Sequence, residues 1–442
     1  MSSPQPVLLI IDYNLSRLAD VFHLRRHALA RWGAQTYLIR ANPQALDLSI
    51  SDLVFDVDPL NADFVEQALH ALGEHAQHIT AGIVFSDNAV ASGAALLERL
   101  GLEVDDARLA LGAFDKFVYR THEARFRQPM QNDGMWLPAF SEVRSVRDLR
   151  CFTQDFSGCV VKPMCEGNNR GVVRVNPGDD LHAAFDEVKP YVDRGVLAEE
   201  IIPYRREFSF DGLGSLSFIT EKVSAEGRYP VEVAQVLPAR LSNDERRTLM
   251  RAGAHVNALI GQRNGPFHNE IKLSDDGSRA AVVEPNRRPG GMKIWTLANW
   301  VYGFDFYHAW VDSVFGEPAP KNLPAPIASA ATVMLGVAED MRFAPYYIEA
   351  GRHPLEQAMF ATRARHGLRE HELLADEFSW MALEARALHR VPHDNADFAA
   401  QVCIVLKQER EDIREVISTL RQEWLSALAL ALEPRALEKV AS

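Results

Sequence analysis

The segment HNEIKLSDDGSRAAVVEPNRRPGG, residues 268–291, predicts a hairpin that carries two acidic side chains. Asp276-Gly277 is a strong hairpin signal, and it separates the runs HNEIKL and AAVVEPN, which alternate in polarity or are rich in β-branched residues. The two runs should therefore be antiparallel neighbours. If the loop consists of residues 276–278, the expected cross-strand pairs are His268 with Asn286, Glu270 with Glu284, and Lys272 with Val282.

These pairs should share one face of the hairpin, because side chains alternate between the two faces of a strand. The opposite, apolar face is predicted to contain Phe267, Ile271, Leu273, Ala281 and Val283. Opposed carboxylates have Cβ atoms about 5 Å apart and repel each other unless a cation lies between them. Oxygen ligands of this kind suit Mg²⁺, which also binds substrate phosphates. The alternative is a solvated face with a two-residue loop, which shifts the register by one and moves Glu284 to the opposite side.

The composition is that of an ordinary chain with several hydrophobic cores. Its 442 residues are 47% hydrophobic and 24% charged, which is material for about three domains. A net charge of −13 argues against a partner held by phosphate neutralisation. No apolar run reaches the length of a membrane span, and the expected location is cytoplasmic. The four cysteines form no CxxC pair and have no histidine at zinc-finger spacing, so neither structural disulfides nor structural zinc are expected.

The order of strand and helix patterns predicts three parts of mixed α/β and α+β class. Residues 1–112 alternate strand and helix and should form an open parallel sheet, without the GxGxxG of a dinucleotide site. Residues 113–195 read as a small α+β unit. Residues 196–442 read as a larger antiparallel region, with one helix over 294–314 and a C-terminal extension that contains strands near 330–335 and 400–406.

A glycine-bearing loop between two strands is a candidate phosphate site. In KPMCEGNNRGV, residues 162–172, the amides between Gly167 and Gly171 could surround phosphate oxygens, with the Lys162 ammonium as a point charge. The alternative is an ordinary hairpin turn. Lys116, which follows Asp115 at the start of a helix, is a second candidate cation, although a lysine there is usually solvated.

The segment LAEEIIPYRREFSF, which joins the two later parts, is a candidate nucleotide-binding strand. Its residues Glu199, Glu200 and Ile202 could offer backbone hydrogen bonds to an adenine edge. Glu207 could accept hydrogen bonds from ribose hydroxyls. The alternative is a strand whose acidic side chains face solvent.

These signals occur in an order that resembles the ATP-grasp superfamily. The matching motifs are DK at 115–116, KPxxxGxxxGV at 162–172, EExI at 199–202, REFS at 206–209, HxE at 268–270 and ExNxRxxG at 284–291. Within this superfamily the chain looks like the L-amino acid ligases that make dipeptides, and more distantly like D-alanine ligases. The resemblance implies the ATP-grasp fold, with an N-terminal open parallel α/β sheet, a small ATP lobe and a large antiparallel lobe.

The resemblance also implies roles for individual residues. Lys116, Lys162 and Lys222 would bind the nucleotide together with Gly167, Asn168, Asn169, Gly171, Glu199, Glu200, Ile202 and Glu207. Two Mg²⁺ ions, or Mn²⁺ in their place, would be held by Glu270, Glu284 and Asn286. Arg288 and Glu232 would be catalytic, and the substrate would contact Glu232, Gln235, Gly290 and Gly291. Apart from the resemblance, His268 could orient the substrate or act as a base, the alternative being a neutral packed histidine, and Met292 is a candidate for the wall of the substrate pocket. Gln235 stands where relatives carry a histidine, and glutamine cannot take up a proton.

The activity implied is that of an ADP-forming ligase, which joins an amino acid or small carboxylate to the amine of an amino acid through an acyl phosphate. One alternative is an ATP-binding regulatory module without turnover, and another is an amide ligase that uses a non-amino-acid amine in a natural-product pathway. The expected partners are small-molecule carboxylates and amines, without nucleic acid or membrane. A homodimer is a further expectation of the resemblance.

Overall fold

The computed structural model describes residues 5–167, 170–225, 231–348, 353–407 and 412–432. Its first part is the predicted parallel α/β unit. The elements are β1 (Val7–Ile11), α1 (Leu18–Trp32), β2 (Gln35–Arg40), β3 (Leu53–Asp56), α2 (Phe64–Leu72), β4 (Ile79–Val84) and α3 (Val90–Arg99). The strands lie in the order β3-β2-β1-β4 and all pairs are parallel. Because the strands run the same way, the loops after β1 and β4 meet at one edge of the sheet.

A small antiparallel sheet follows. Its elements are α4 (Lys116–Arg125), α5 (Arg127–Asn132), β5 (Phe140–Glu142), α6 (Val146–Asp155), β6 (Cys159–Pro163), β7 (Val173–Val175), α7 (Leu181–Val188) and β8 (Val196–Glu200). The strand order is β5-β8-β6-β7. The Asp115 carboxylate caps α4 by accepting from the amides of Phe117 and Val118, which fixes Lys116 in the first turn. Since β8 pairs with β6, this sheet extends past the predicted boundary at residue 195.

The remaining elements surround an eight-stranded antiparallel sheet. They are β9 (Arg206–Leu213), β10 (Leu216–Ser224), β11 (Glu232–Leu237), α8 (Asn243–Leu259), β12 (Pro266–Leu273), β13 (Ala280–Glu284), α9 (Ile294–Tyr302), α10 (Phe306–Val314), β14 (Ser329–Leu335), β15 (Met341–Phe343), α11 (Pro354–His366), β16 (Leu373–Trp380), β17 (Arg386–Leu388), β18 (Ala400–Leu406) and α12 (Ile413–Leu432). The strand order is β13-β12-β9-β10-β11-β14-β18-β16. The C-terminal extension therefore contributes three strands to this sheet.

The prediction of one helix over residues 294–314 is wrong, because the segment forms two helices. Gly303 follows α9 in the left-handed conformation, with φ of 60°, and this ends the helix. The side chain of Asp305 then accepts from the amide of His308 and starts α10. Leu297 of α9 and Trp310 of α10 share a buried apolar cluster with Leu8 and Ile10 of β1, which joins the N-terminal unit to the large sheet. Among the described helices, none combines the length and apolarity needed to cross a membrane.

The hairpin of β12 and β13 confirms the pairing of Glu270 with Glu284. Towards the tip, the observed pairs are Ile271 with Val282, Lys272 with Ala281, and Leu273 with Ala280. The predicted pairing of Lys272 with Val282 is therefore wrong. The tip follows the register that is shifted by one residue, whereas the end that carries the two acids follows the unshifted register.

A β-bulge at Val283 reconciles the two registers. The ladder is irregular between Glu270 and Ile271, where the partner strand contains one extra residue. As a result Val282, together with Ile271, packs in the apolar cluster under the sheet. Val283, which was predicted for that core, is only half-buried. The extra residue returns Glu284 to the face that carries Glu270.

Candidate active site

Two acids and an amide from the hairpin lie on one polar face. Glu284 Oε2 is 3.4 Å from the Lys116 ammonium, which also donates to the carbonyl of Glu166 at 2.7 Å. Asn286 is buried, and its Nδ2 donates to the carbonyl of His268, so its amide oxygen is the atom that can bind a cation. Carboxylate and amide oxygens are the ligands that Mg²⁺ prefers, so this donor set fits the predicted metal.

A buried lysine joins three of the predicted binding residues. Lys222 Nζ lies 2.9 Å from Glu207, 2.7 Å from Glu232 and 2.8 Å from Glu270. Burial alone would lower the pKa of this ammonium, but the three carboxylates raise it well above its usual value. Burial likewise would raise the pKa of Glu270, but the neighbouring Lys222 and His268 lower it. Lys222 is therefore the common counter-charge of Glu207, predicted to bind the ribose, of Glu232, predicted to bind the substrate, and of Glu270, predicted to bind the metal.

The register of the large sheet explains this convergence. Lys222 on β10 lies directly opposite Glu207 on β9 and opposite Gln235 on β11. On the other side of β9, Ser209 is the partner of Glu270. Because neighbouring strands are about 4.8 Å apart, long side chains on one face reach across two strands.

His268 is held between two carboxylates. Its Nδ1 lies 2.6 Å from Asp211 Oδ1, and its Nε2 lies 3.5 Å from Glu270. Asp211 is fully buried and also accepts from the hydroxyls of Ser209 and Thr220. Burial would lower the pKa of His268, but Asp211 and Glu270 raise it to about 9. Both ring nitrogens of His268 face carboxylates, so this geometry favours an orienting role for His268 over the role of a base.

Gln235 lies where the resemblance expects a histidine, next to the predicted substrate residues. Its Nε2 donates to Glu232 Oε2 at 2.7 Å and lies 4.0 Å from the sulfur of Met292. Its buried Oε1 has no hydrogen-bond partner among the described residues. The Met292 carbonyl accepts from Thr332, which fixes the backbone after Gly291. Glu232 is already bound by Lys222 and Gln235, so a substrate ammonium would have to use its remaining lone pairs.

The small sheet contributes a buried ion-pair network. Lys162 Nζ lies 2.7 Å from Glu199 Oε2, and Arg120 Nε donates to Glu199 Oε1 at 2.8 Å. Burial would raise the pKa of Glu199, but the two cations lower it to about 2. Arg120 also donates to the carbonyl of Val282 at 2.8 Å, so it joins the small sheet to the acidic hairpin. Its role was missed because the sequence marks α4 only as basic.

The other predicted nucleotide residues are placed as follows. The Glu200 carboxylate accepts from the amide of Ala139, and Ile202 is half-buried just after β8. Gly171 has φ of 69°, which favours glycine, whereas a Cβ added to Gly167 would meet no atom of the described residues within 4 Å. The predicted residues Asn168 and Asn169 lie outside the described part of the chain. The roles of all these residues in nucleotide binding stay predictions.

The adjacent residues Arg287 and Arg288 have different partners and different roles. Arg287 is buried and donates to the carbonyls of Asp106 and Ile260, which makes it a structural residue. Arg288 turns to the other side, where its Nε is 2.7 Å from both oxygens of Asp87. Asp87 follows β4 of the N-terminal sheet and was missed, because nothing near it in sequence indicates an arginine partner. Arg17 adds a second contact from the N-terminal unit, through its hydrogen bond to the carbonyl of Gly290.

The loop after Arg288 allows a test of its packing. A Cβ added to Gly290 would lie 2.8 Å from Nδ1 of His268, whose ring is fixed by Asp211, and 2.7 Å from Ile294. We therefore expect Gly290→Ala to lower the free energy of unfolding by about 1–3 kcal/mol, measured by urea denaturation. Gly291→Ala is the matched control, since a Cβ there meets no described atom within 4 Å. Equal stability of the two variants would contradict the tight packing of Gly290.

Comparison with known proteins identifies the domain. Residues 156–296 match the family described as the ATP-grasp domain. The chain is 24% identical over 297 residues to the alanine-anticapsin ligase of Bacillus subtilis. This match covers 61% of this chain and 61% of that protein, so the chain matches about three fifths of the relative's length.

Solved structures share the fold over nearly the whole chain. An L-amino acid ligase from Bacillus licheniformis has a TM-score of 0.70 at 17% identity, covering 96% of this chain and 98% of that one. An N5-carboxyaminoimidazole synthetase from Staphylococcus aureus, crystallised with ADP, has a TM-score of 0.62 at 13% identity, covering 94% and 97%. The domain match and the shared fold agree with the order of the sequence motifs. Residues 156–296 therefore match the ATP-grasp domain, and the chain as a whole shares the fold of these solved structures.

Proposed function

We propose that the chain is an ADP-forming ligase that joins the carboxylate of an amino acid, or of another small acid, to the amine of an amino acid. In the first step, the substrate carboxylate attacks the terminal phosphate of ATP, the bond to ADP breaks, and an acyl phosphate forms. In the second step, the amine attacks the acyl carbon, phosphate leaves, and the nitrogen gives up a proton. The products are ADP, phosphate and an amide.

The observation that carries this proposal is the pairing of Glu270 with Glu284 on the polar face of the sheet. Lys116 lies beside Glu284, and Lys222 lies beside Glu270, so cationic side chains border the position predicted for the terminal phosphates. Glu270, Glu284 and the amide oxygen of Asn286 would hold Mg²⁺, with Mn²⁺ as an alternative. The ion would neutralise negative charge on the phosphates when bound.

The relatives support an amino acid as one substrate. The protein from Bacillus subtilis is an alanine-anticapsin ligase, and the structural neighbour from Bacillus licheniformis is an L-amino acid ligase. The neighbour from Staphylococcus aureus binds ADP, which supports an adenine nucleotide here. The homodimer and the cytoplasmic location remain predictions.

Side chains of this chain would act by binding and charge stabilisation. Lys116 and Lys162 would contact phosphate oxygens, although each first has to leave or share its present carboxylate partner. Arg288 would stabilise the acyl phosphate and the oxyanion that forms when the amine attacks, because its planar fork of donors matches such oxygens. Lys222 would keep Glu207, Glu232 and Glu270 in place.

The test is a matrix of carboxylates and amines, incubated with ATP, Mg²⁺ and the full chain. Phosphate release and mass detection of products are followed together, with chelator added to parallel samples as the control. We expect at least one pair to release phosphate and ADP in equal amounts, with a product whose mass equals the two substrates minus water. The amines should include non-amino-acid amines, because a product only with those would support the natural-product alternative.

One combination of results would contradict the proposed ligase activity. If calorimetry detects ATP binding but no pair of substrates releases phosphate, the chain is better described as a nucleotide-binding module without turnover. The sequence features that leave room for this result are Gln235, in place of the family's histidine, and Asn168 and Asn169, where serines are common in the family. The paired acids Glu270 and Glu284 argue for turnover.

A further inference from the structure

Three histidines and two aspartates meet between α1 and α10, outside the candidate active site. His23 and His27 are four residues apart on α1, so both lie on the same face of that helix. Asp305 caps α10, and His308 and Asp312 lie on that helix. The His308 ring stacks on His27 at 3.8 Å and on His23 at 4.7 Å. This concentration of imidazoles and carboxylates plays no part in the proposed ligase reaction.

Three ligand atoms of this cluster lie close enough together to share one metal ion. Asp305 Oδ2 lies 2.9 Å from His23 Nε2 and 3.5 Å from His308 Nδ1, and the three residues offer atoms that all lie within 4.8 Å of one another. Tetrahedral zinc holds nitrogen and oxygen ligands at about 2.0–2.1 Å, which places neighbouring ligand atoms about 3.3 Å apart. The two observed separations bracket this value.

A second cluster of two histidines and one aspartate consists of His389, His393 and Asp397. The carboxylate of Asp305 makes different contacts from the carboxylate of Asp397. Asp305 Oδ1 caps α10 by accepting from the amide of His308, while the contacts of Oδ2 with described residues are to imidazoles. In the second cluster, Asp397 accepts from the amides of both His389 and His393 and from the His389 ring. Its two oxygens serve to hold a loop together. Asp305 therefore has an oxygen placed for a cation, and Asp397 serves as the comparison.

We propose that His23, Asp305 and His308 form a binding site for a divalent transition metal such as Zn²⁺. Two imidazole nitrogens and one carboxylate oxygen suit such ions, and water would complete a tetrahedral shell. The side chains are 27%, 30% and 37% exposed, so an ion can enter from solvent. His27, which is bound to Asp312 at 2.8 Å, supports the stacked ring of His308. A bound ion would join α1 of the N-terminal unit to α10.

One residue competes with the metal. Arg26 Nη2 lies 3.3 Å from His23 Nδ1, an arrangement that leaves the proton on Nε2, the atom that would bind the ion. Metal binding requires the other tautomer, and Arg26 then has to turn away, which its exposed position permits. We therefore expect Arg26→Met to tighten metal binding several-fold, because both a competing donor and a positive charge are removed.

The test is a titration of the full chain with Co²⁺, in the presence of saturating Mg²⁺ and ADP so that the active-site acids are occupied. Visible absorption reports tetrahedral coordination, and melting curves with added Zn²⁺ report stabilisation. We expect one Co²⁺ per chain with the absorption of a tetrahedral site. Removing a residue that only hydrogen-bonds a metal ligand weakens metal binding about 10- to 100-fold. His308 is proposed as a direct ligand, so His308→Gln should weaken binding by about 100-fold or more.

Matched variants distinguish this site from metal binding elsewhere on the chain. His389→Gln removes a histidine of the comparison cluster and should leave the Co²⁺ titration unchanged, and metal-free melting curves check that each variant folds. Equal affinity of the wild type and His308→Gln, or the absence of tetrahedral absorption from the wild type, would overturn the proposal. Ligase activity is not a readout, so failure here and failure of the proposed function are distinguishable.

Discussion

Replacing Arg288 by methionine is expected to lower kcat about 10²- to 10³-fold, with a smaller change in KM. That range is typical for the removal of one donor that stabilises an oxyanion in an enclosed site. The side chain is only 20% exposed, and its loop is fixed by the hydrogen bond from Arg17 to the carbonyl of Gly290. The measurement is initial-rate kinetics with the best substrate pair from the matrix, at saturating ATP.

Asp87→Asn is the control for this prediction, because Asp87 is the ion-pair partner of Arg288. If Arg288 acts on the reacting atoms, removing Asp87 only loosens its position and should cost about tenfold or less. A double-mutant cycle then shows whether the two effects are independent. If Asp87→Asn lowers kcat as much as Arg288→Met, and the double variant is no worse, Arg288 serves only to join the N-terminal unit to the site.

The sequence predicted the acidic pair because local rules determine most of a hairpin. Asp276-Gly277 marks the turn, and period-two alternation assigns the faces, so Glu270 opposite Glu284 followed from few assumptions. The same rules could not predict the bulge at Val283. A bulge depends on how the strand packs against the helices and strands beneath it, and nothing in the segment itself marks the extra residue.

Three residues of the candidate site could not be predicted from the sequence, for a different reason. Asp211, Asp87 and Arg120 each pair with a partner far away in the sequence, at separations of 57, 201 and 79 residues. Such pairs exist only after distant strands have become neighbours. The acid Glu199 was assigned either to an adenine edge or to solvent, whereas the structure buries its carboxylate between two cations. Local polarity can identify a charged residue, but only the tertiary fold shows what neutralises it.

Replacing Lys222 by methionine is expected to lower the free energy of unfolding by about 3–5 kcal/mol. Removing one partner of a buried ion pair leaves an uncompensated charge, and here Glu207, Glu232 and Glu270 all lose their common cation. The Lys222 side chain is only 2% exposed, so water cannot replace it without rearrangement. Methionine keeps a similar length and leaves no large cavity. Urea denaturation without added Mg²⁺ measures the effect.

Lys272→Met is the matched control, because Lys272 lies 3.7 Å from Glu207 but is 26% exposed, and exposed pairs contribute at most about 1 kcal/mol. Added Mg²⁺ distinguishes charge from packing. If repulsion among the three acids causes the loss, Mg²⁺ should restore part of the stability of Lys222→Met and change Lys272→Met little. A loss that Mg²⁺ does not alter would mean that Lys222 matters mainly for packing. A loss no larger than that of Lys272→Met would contradict the role of Lys222 as the common counter-charge of the site.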